Sequence, residues 1–275
     1  VVIVGASTGI GQSLALEYAR KGANLLICAR RAAELEQVAA ECQALGGKAV
    51  YKVVGDITLR ETQVALRDAA ANSMENGVDY LVLNAGAISV QQIIDLWDMR
   101  NESNTGLCDT VHDNAVERAD QAMRQIMEVN VMAPATLAGL FLPIVAKNRG
   151  SIVVLSSMAG LIAAPTRSLY SASKHAVSAF FTALRMEVGQ LGVAVTIVYP
   201  GTVDTDLRQS AVDKSSTPVA GSSSGKMSPQ SCAQQIVRAA ALRQPTLITP
   251  LPYRIGVWMY SFAPRFIEYM AKRKY

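Results

Sequence analysis

Histidine is scarce in this sequence. Only His112 and His175 occur among 275 residues, which argues against a histidine-rich site, and no metal is expected. The four cysteines, Cys28, Cys42, Cys108 and Cys232, form no CxxC pair and no metal spacing, so thiols in a reducing compartment are the default. Charged residues make up 17% of the chain and the net charge is only +4. Lysine and arginine are scattered apart from a small run at the C-terminus, so no nucleic-acid partner is expected. No signal peptide is visible. The chain opens on "VVIVGAS", a core strand with no lead-in and no initiator methionine, so the reading leaves room for a trimmed N-terminus and a lost upstream anchor. Only one uncharged run approaches transmembrane length, "VNVMAPATLAGLFLPIVA" at 129–146. It sits between two βα units of one pattern, so a buried helix, also at a subunit interface, is expected.

Half of the residues are hydrophobic, which fits a globular protein with a large core. Short runs rich in Val, Ile and Leu read as buried parallel strands: Val1–Val4, Asn24–Cys28, Ala49–Val53, Tyr80–Leu83, Ser151–Leu155, Ala194–Val198 and Thr246–Ile248. Helices are predicted between them near 10–21, 31–45, 59–75, 116–147, 168–190 and 229–243. Repeated βα units with right-handed crossovers imply one α/β domain over 1–275, a Rossmann-type doubly wound parallel sheet flanked by helices. Two polar, turn-rich segments break the alternation. One lies near 95–114 and reads as a loop insertion. The other, near 202–228, reads as a substrate loop. Both follow strand ends, where an open α/β sheet binds its ligands.

The first strand runs into "VVIVGASTGIGQSLA". Gly5 permits a tight turn, Gly9 lets the backbone approach a pyrophosphate, and Gly11 allows close packing of helix on strand. Ser7, Thr8 and Ile10 belong to the same cradle. A merely structural tight turn is the competing reading, and the strand–turn–helix context favours phosphate binding. The second strand ends "LLICARRAAEL". Enzymes that take NAD tend to carry an acid here, bonding the ribose 2′-hydroxyl. This chain has Arg30 and Arg31, whose guanidinium groups pair well with a 2′-phosphate, so NADP(H) is inferred over NAD(H). Arg30 is the stronger candidate, while Arg31 also reads as a solvated residue opening a helix.

In "LYSASKHAVSAFF", Lys174 stands one helical turn after Tyr170. A tyrosine is a poor acid or base near neutrality, and a neighbouring cation brings its pKa toward the working range. Together with "GASTGIG", "GDIT", "LNAGA", "VNV", "SSMAG", "YSASK" and "YPGTVDT", this pair makes the chain resemble the short-chain dehydrogenases/reductases over nearly its whole length.

The resemblance implies a set of roles. Tyr170 is the proton donor or acceptor at the substrate oxygen, and Lys174 supports it while holding the nicotinamide ribose. Ser157 bonds the substrate oxygen, and Asn130 holds a water in a proton relay to Lys174. Asp56 accepts from the adenine amine with Ile57 beside it. Asn84, Ala85 and Gly86 lie along the adenosine side. Thr205, after Pro200, Gly201 and Val203, reaches the nicotinamide amide or the phosphates. His175 has no assigned chemical role.

Within the family, "YSASKHAVSAFFTALRMEV" and "VTIVYPGTVDTDL" look most like the membrane-associated branch of 11β-hydroxysteroid dehydrogenase type 1-like and dehydrogenase/reductase member 7B-like enzymes. This implies an NADP(H)-dependent oxidoreductase that interconverts a carbonyl and an alcohol on a small apolar substrate, such as a steroid, retinoid or lipid ketone. A 3-ketosphinganine reductase-like activity and a non-catalytic NADP(H)-binding sensor or scaffold are the alternatives. The stretch between Asn84 and Asn130 is longer than the family pattern, which weakens substrate inference from relatives. A homodimer is expected, at the endoplasmic reticulum membrane, or in the cytosol if the N-terminus carries no anchor. The apolar tail 251–275 mixes aromatics with cations, which suits peripheral membrane contact or a cover over the substrate site.

Overall fold

Short apolar runs alternate with longer amphipathic ones, and each pair folds as a βα unit. β1 (Val2–Val4) leads into α1 (Gly9–Arg20), β2 (Leu25–Ala29) into α2 (Ala32–Ala44), and β3 (Val50–Val54) into α3 (Arg60–Ser73). β4 (Tyr80–Leu83) precedes a short α4 (Ile93–Leu96), then α5 (Asp113–Met127), a π-helical segment (Glu128–Met132) and α6 (Ala133–Lys147). β5 (Ser151–Leu155), α7 (Ser168–Val188), β6 (Ala194–Pro200), α8 (Pro229–Ala241) and β7 (Thr246–Thr249) follow, and α9 (Leu251–Tyr260) and α10 (Pro264–Lys274) end the chain. The computed structural model describes residues 1–74, 76–100, 106–108, 110–207, 211–213 and 226–274, without the side chains of 273 and 274.

The seven strands form one parallel sheet in the order β3-β2-β1-β4-β5-β6-β7. Strand order reverses between β1 and β4, so a crevice opens beyond their C-terminal ends. Alternate strand residues serve opposite faces. Val2, Val4, Leu81, Leu83, Ile152 and Val154 pack with α3, α6 and α7 through Leu66, Leu137, Phe141 and Phe181. Ile3, Leu25, Ile27, Val82 and Val153 pack with α1, α2 and α8 through Leu14, Leu35, Val38 and Ile236. Phe141 and Phe181 are fully buried, each stabilising the fold by about 1.5–3 kcal/mol relative to an exposed ring.

The expected strands and helices agree with the observed ones to within a residue or two at most boundaries, and four details differ. β3 is not apolar on both faces: it is the sheet edge, and Tyr51 and Val54 are exposed. The helix expected at 116–147 starts at Asp113 and is interrupted by the π segment. Pro134 lacks the N–H that an α-helix would return to the Asn130 carbonyl, and the ladder widens there, with Ala133 N–H bonding Glu128 O. The insertion near 95–114 is partly structured: α4 seats Leu96 against Ala119 and Ala122 of α5, while 101–105 and 109 lie outside the described residues. Finally, the tail is a pair of helices, and α9 lays the Tyr253 ring against Gly201.

Candidate active site

The turn from β1 into α1 is built to leave room. Gly5 and Gly9 have φ of 82° and 61°, a region that side chains disfavour. A Cβ on Gly5 would lie 2.7 Å from Ala85 Cα, and one on Gly9 would lie 3.0 Å from Thr205 Cγ2. At Gly11 the added atom would stand 1.9 Å from the Gly5 carbonyl, so α1 packs on the turn only without a side chain there. Asn84 Nδ2 donates to the same carbonyl at 2.7 Å and ties β4 to the turn. Thr8 occupies the N-cap of α1 but its side chain caps nothing, so the first-turn N–H groups remain available to an anion. A cleft of about 310 Å³ lies between this helix start, at Thr8, Gly9 and Gln12, and the loop after β6, at Asp204, Thr205 and Asp206. The glycine turn and the uncapped helix start fit a dinucleotide's phosphates, whereas the cleft itself also presents the Asp204 and Asp206 carboxylates.

The two arginines divide their work. Arg31 reaches back to the cradle and donates to Ser7 Oγ at 3.1 Å and Thr8 Oγ1 at 2.7 Å. Arg30 pairs with Asp56 at 3.6 Å and is largely exposed. Asp56 also accepts from the Thr58 N–H and hydroxyl through one oxygen, while Ile57 is buried and its carbonyl accepts from Gln63. The sequence ranked Arg30 above Arg31, but here it is Arg31 that touches the glycine-rich turn, at Ser7 and Thr8.

Tyr170 and Lys174 lie on α7, buried, with the ammonium 5.7 Å from the centroid of the phenol ring. Lys174 Nζ donates to the Leu155 carbonyl at 2.9 Å, at the C-terminal end of β5. Burial lowers its pKa to about 8, because the charged form loses its water. Two residues on, Ser157 N-caps a 3₁₀ turn (Met158–Gly160), accepting from Ala159 N–H at 3.2 Å, a bond that does not use its hydroxyl proton. Ser156 and Ser178 both donate to the Lys174 carbonyl. Gly160 makes this approach possible, since a Cβ there would lie 2.4 Å from Ser156 Oγ and 2.7 Å from the Lys174 carbonyl oxygen.

Asn130 is buried in the π segment, where its Oδ1 accepts from Ala87 N–H and its Nδ2 donates to the Ala87 carbonyl and to Ser173 Oγ. Ser173 in turn donates to the Tyr170 carbonyl at 2.8 Å. The Asn130 side chain therefore braces the β4 loop against α7. Gly86 lies in that loop, and a Cβ on it would approach Asn130 Oδ1 at 3.3 Å and Lys174 Nζ at 3.6 Å. Beyond β6, the Pro200–Gly201 turn leads through Val203, which bridges to Met227, to Thr205 against Gly9. His175 is exposed, and its ring nitrogen lies 2.9 Å from the Ser171 carbonyl.

The expected residues thus gather at the C-terminal edge of the sheet, around the cradle and around Lys174. Sequence reasoning missed Ser173, Ser156 and Gly160. Ser173 had a local signal, because a serine three residues after Tyr170 can bond the carbonyl one turn back. Among the described residues, no group of three His, Cys, Asp or Glu side chains is placed to hold a metal ion.

The parallel sheet and the glycine-rich turn beyond its first strand suit a nicotinamide-dependent oxidoreductase. The chain belongs to the short-chain dehydrogenase family, whose model matches residues 1–216. It is 32% identical over 283 residues to 11-beta-hydroxysteroid dehydrogenase A of Sesamum indicum, an alignment covering all of this chain and 75% of that one. A short-chain dehydrogenase/reductase of Burkholderia phymatum in complex with NAD superposes with a TM-score of 0.77 at 22% identity, covering 96% of this chain and 93% of that one. A short-chain dehydrogenase of Sphingobium yanoikuyae in complex with NADPH gives 0.73 at 22%, covering 96% and 92%. At that identity the two structures speak for the fold alone.

Proposed function

We propose that this protein is an NADP(H)-dependent carbonyl reductase or alcohol dehydrogenase acting on an apolar substrate at a membrane surface. The observation that carries the reading is the buried Lys174 ammonium beside Tyr170, at the strand end that also presents Ser157. When bound, NADP(H) supplies or accepts a hydride at its nicotinamide ring. Gly5, Gly9 and the start of α1 would hold the pyrophosphate, with Thr205 beside them. Arg31 and Arg30 would hold the 2′-phosphate, which favours NADP(H) over NAD(H).

The remaining chemistry belongs to the side chains. Lys174, with its pKa lowered to about 8, stays mostly protonated at neutral pH, and its charge favours the phenolate form of Tyr170. Tyr170 then passes a proton to or from the substrate oxygen. Ser157, whose hydroxyl proton remains available, stabilises the charge on that oxygen. The Asn130 side chain is committed to Ala87 and Ser173, so its backbone carbonyl, which Pro134 cannot bond, is the group that would hold a relay water.

The wall around Tyr170 is apolar, with Ile88, Val90, Ile126 and Leu169, which suits a hydrocarbon-rich carbonyl compound. On α9, α10 and the turn between them, Leu251, Ile255, Trp258, Phe262 and Phe266 are all more than half exposed, beside Arg254 and Arg265, as in a segment resting at a lipid interface. Exposed Val116, Phe180 and Met186 on α5 and α7 suit pairing with a second copy. The test is NADPH oxidation with a panel of apolar ketones and aldehydes. Turnover that disappears in Tyr170→Phe supports the reading. Tight NADPH binding with no turnover of any compound would favour a sensor instead.

A further inference from the structure

Outside the catalytic group, the most unusual buried charge among the described residues is Asp213. It lies in the segment after β6, far in sequence from its hydrogen-bond partners Ser89, Val90 and Gln91, and is only 5% exposed. Its Oδ2 accepts from Ser89 Oγ at 2.7 Å and from Gln91 N–H at 2.9 Å. Both of its oxygens accept from Val90 N–H, at 2.9 and 3.0 Å. A carboxylate bonded to two successive backbone amides and a hydroxyl is held by charge-assisted bonds, roughly twice as strong as neutral ones. Next to it, Val212 N–H donates to the Ile88 carbonyl at 2.9 Å, and Ala211 pairs with Ile88 as a parallel bridge.

A buried cation also contacts residues 88–91. Arg167, 4% exposed, donates through Nη1 to the Ser89 carbonyl at 3.4 Å and to Thr166 at 3.2 Å. Arg167 stands immediately before α7, three residues ahead of Tyr170. Residues 88–91 therefore join the segment after β6 to the start of the helix that carries Tyr170. The apolar side chains along this joint, Ile88, Val90, Ala211 and Val212, belong to one packed cluster with Tyr170 and Ile126.

We propose that Asp213 is a positioning residue for the substrate site: it latches residues 211–213 onto residues 88–91 and thereby builds the apolar wall beside Tyr170 that selects bulky hydrocarbon carbonyl compounds. This rests on the oxidoreductase reading above. Among the described residues no bond from Asp213 reaches the cradle, so its role concerns substrate fit and not cofactor binding. Asparagine at this position keeps one acceptor oxygen but loses the charge and sets an NH₂ donor against the Val90 N–H, so a nearly isosteric change weakens the latch.

The experiment compares wild type, Asp213→Asn and the milder Ser89→Ala in three readouts. They are amide hydrogen exchange at Val90, Gln91 and Val212, the Kd for NADPH, and KM and kcat for 1-decalone against cyclohexanone. Asp213→Asn should speed exchange at the three amides about tenfold or more, the equivalent of losing one good bond, with β5 and α6 still protected. It should raise KM for 1-decalone about tenfold, leave that for cyclohexanone nearly unchanged, and leave kcat and the NADPH Kd within about twofold. Ser89→Ala should do the same in smaller measure. Unchanged exchange in both variants, or equal losses in kcat, NADPH binding and both ketones, would overturn the proposal. If Asp213→Asn fails to fold, Ser89→Ala decides by the same criteria. If wild type reduces neither ketone, the oxidoreductase reading is in difficulty while the exchange arm still judges the latch.

Discussion

The Lys174 ammonium lies 5.7 Å from the centre of the Tyr170 ring and donates to the carbonyl of Leu155, the last residue of β5. One lysine thus connects the phenol to the strand end that presents Ser157. Because the phenol is assigned the proton transfer, Tyr170→Phe should keep the fold and NADPH binding while lowering kcat about a hundredfold or more. Cofactor titration by fluorescence beside steady-state turnover separates the two. Near-normal kcat in the folded variant would remove Tyr170 from the mechanism.

Lys174 also leaves a mark on stability. Its pKa is about 8 in the folded chain, against 10.5 for the unperturbed side chain. Between those values the unfolded chain binds more proton, so this residue's contribution to stability grows as pH rises from 8 to 10.5 and is lost as pH falls back to 8. The effect reaches about 3 kcal/mol at most. Denaturant unfolding of wild type and Lys174→Met across this window should show the difference between them moving toward wild type with rising pH. The comparison cancels buried Cys28 and Cys232, whose pKa values burial pushes up to about 12 and which act in the opposite direction. A pH-independent difference would contradict the assignment.

The proposed preference for NADP(H) rests on the arginine pair. Arg31 already bonds Ser7 and Thr8, and Arg30 pairs with Asp56 at the surface. Loss of either should weaken NADPH more than NADH, by about 1–3 kcal/mol for a charged hydrogen bond. The double alanine variant should bring the two affinities close together. Isothermal titration with both cofactors measures this, and a parallel loss for NADH would show that neither side chain reads the 2′-phosphate.

Gly11 is the least replaceable residue of the cradle. A methyl group there would meet the Gly5 carbonyl at 1.9 Å and Asn84 Nδ2 at 2.5 Å, both parts of the turn itself. Gly11→Ala should cost about 1–3 kcal/mol in stability, as overpacking does, and greatly weaken cofactor binding. Gly139, whose added Cβ would meet nothing within 4 Å, is the control and should tolerate alanine.

The exposed aromatics of α9, α10 and the turn between them give a lipid test that leaves the helices in place. Replacing Trp258, Phe262 and Phe266 with serine should abolish flotation with phosphatidylcholine vesicles while preserving thermal stability, because all three rings are more than half exposed. Equal flotation of both proteins would detach this surface from the membrane.

Much of this was legible in the chain. Val- and Ile-rich runs spaced by helical segments can be satisfied only by a parallel sheet covered on both faces, and β1 shows it, with Val2 and Val4 in one core and Ile3 in the other. The glycine spacing determined a cradle, since only residues without a side chain permit that turn. The four-residue step from Tyr170 to Lys174 determined that both share a helix face. Tertiary structure decided the rest. Arg31 lies 23 residues from Thr8, Asn130 is 43 from Ala87, and Asp213 is 123 from Val90. Contacts at such separation depend on how strands are ordered and where long side chains turn, and no local period records either. A buried aspartate reads in sequence like a solvated one. Only the packed chain, in which two amides and a hydroxyl converge on it, tells them apart.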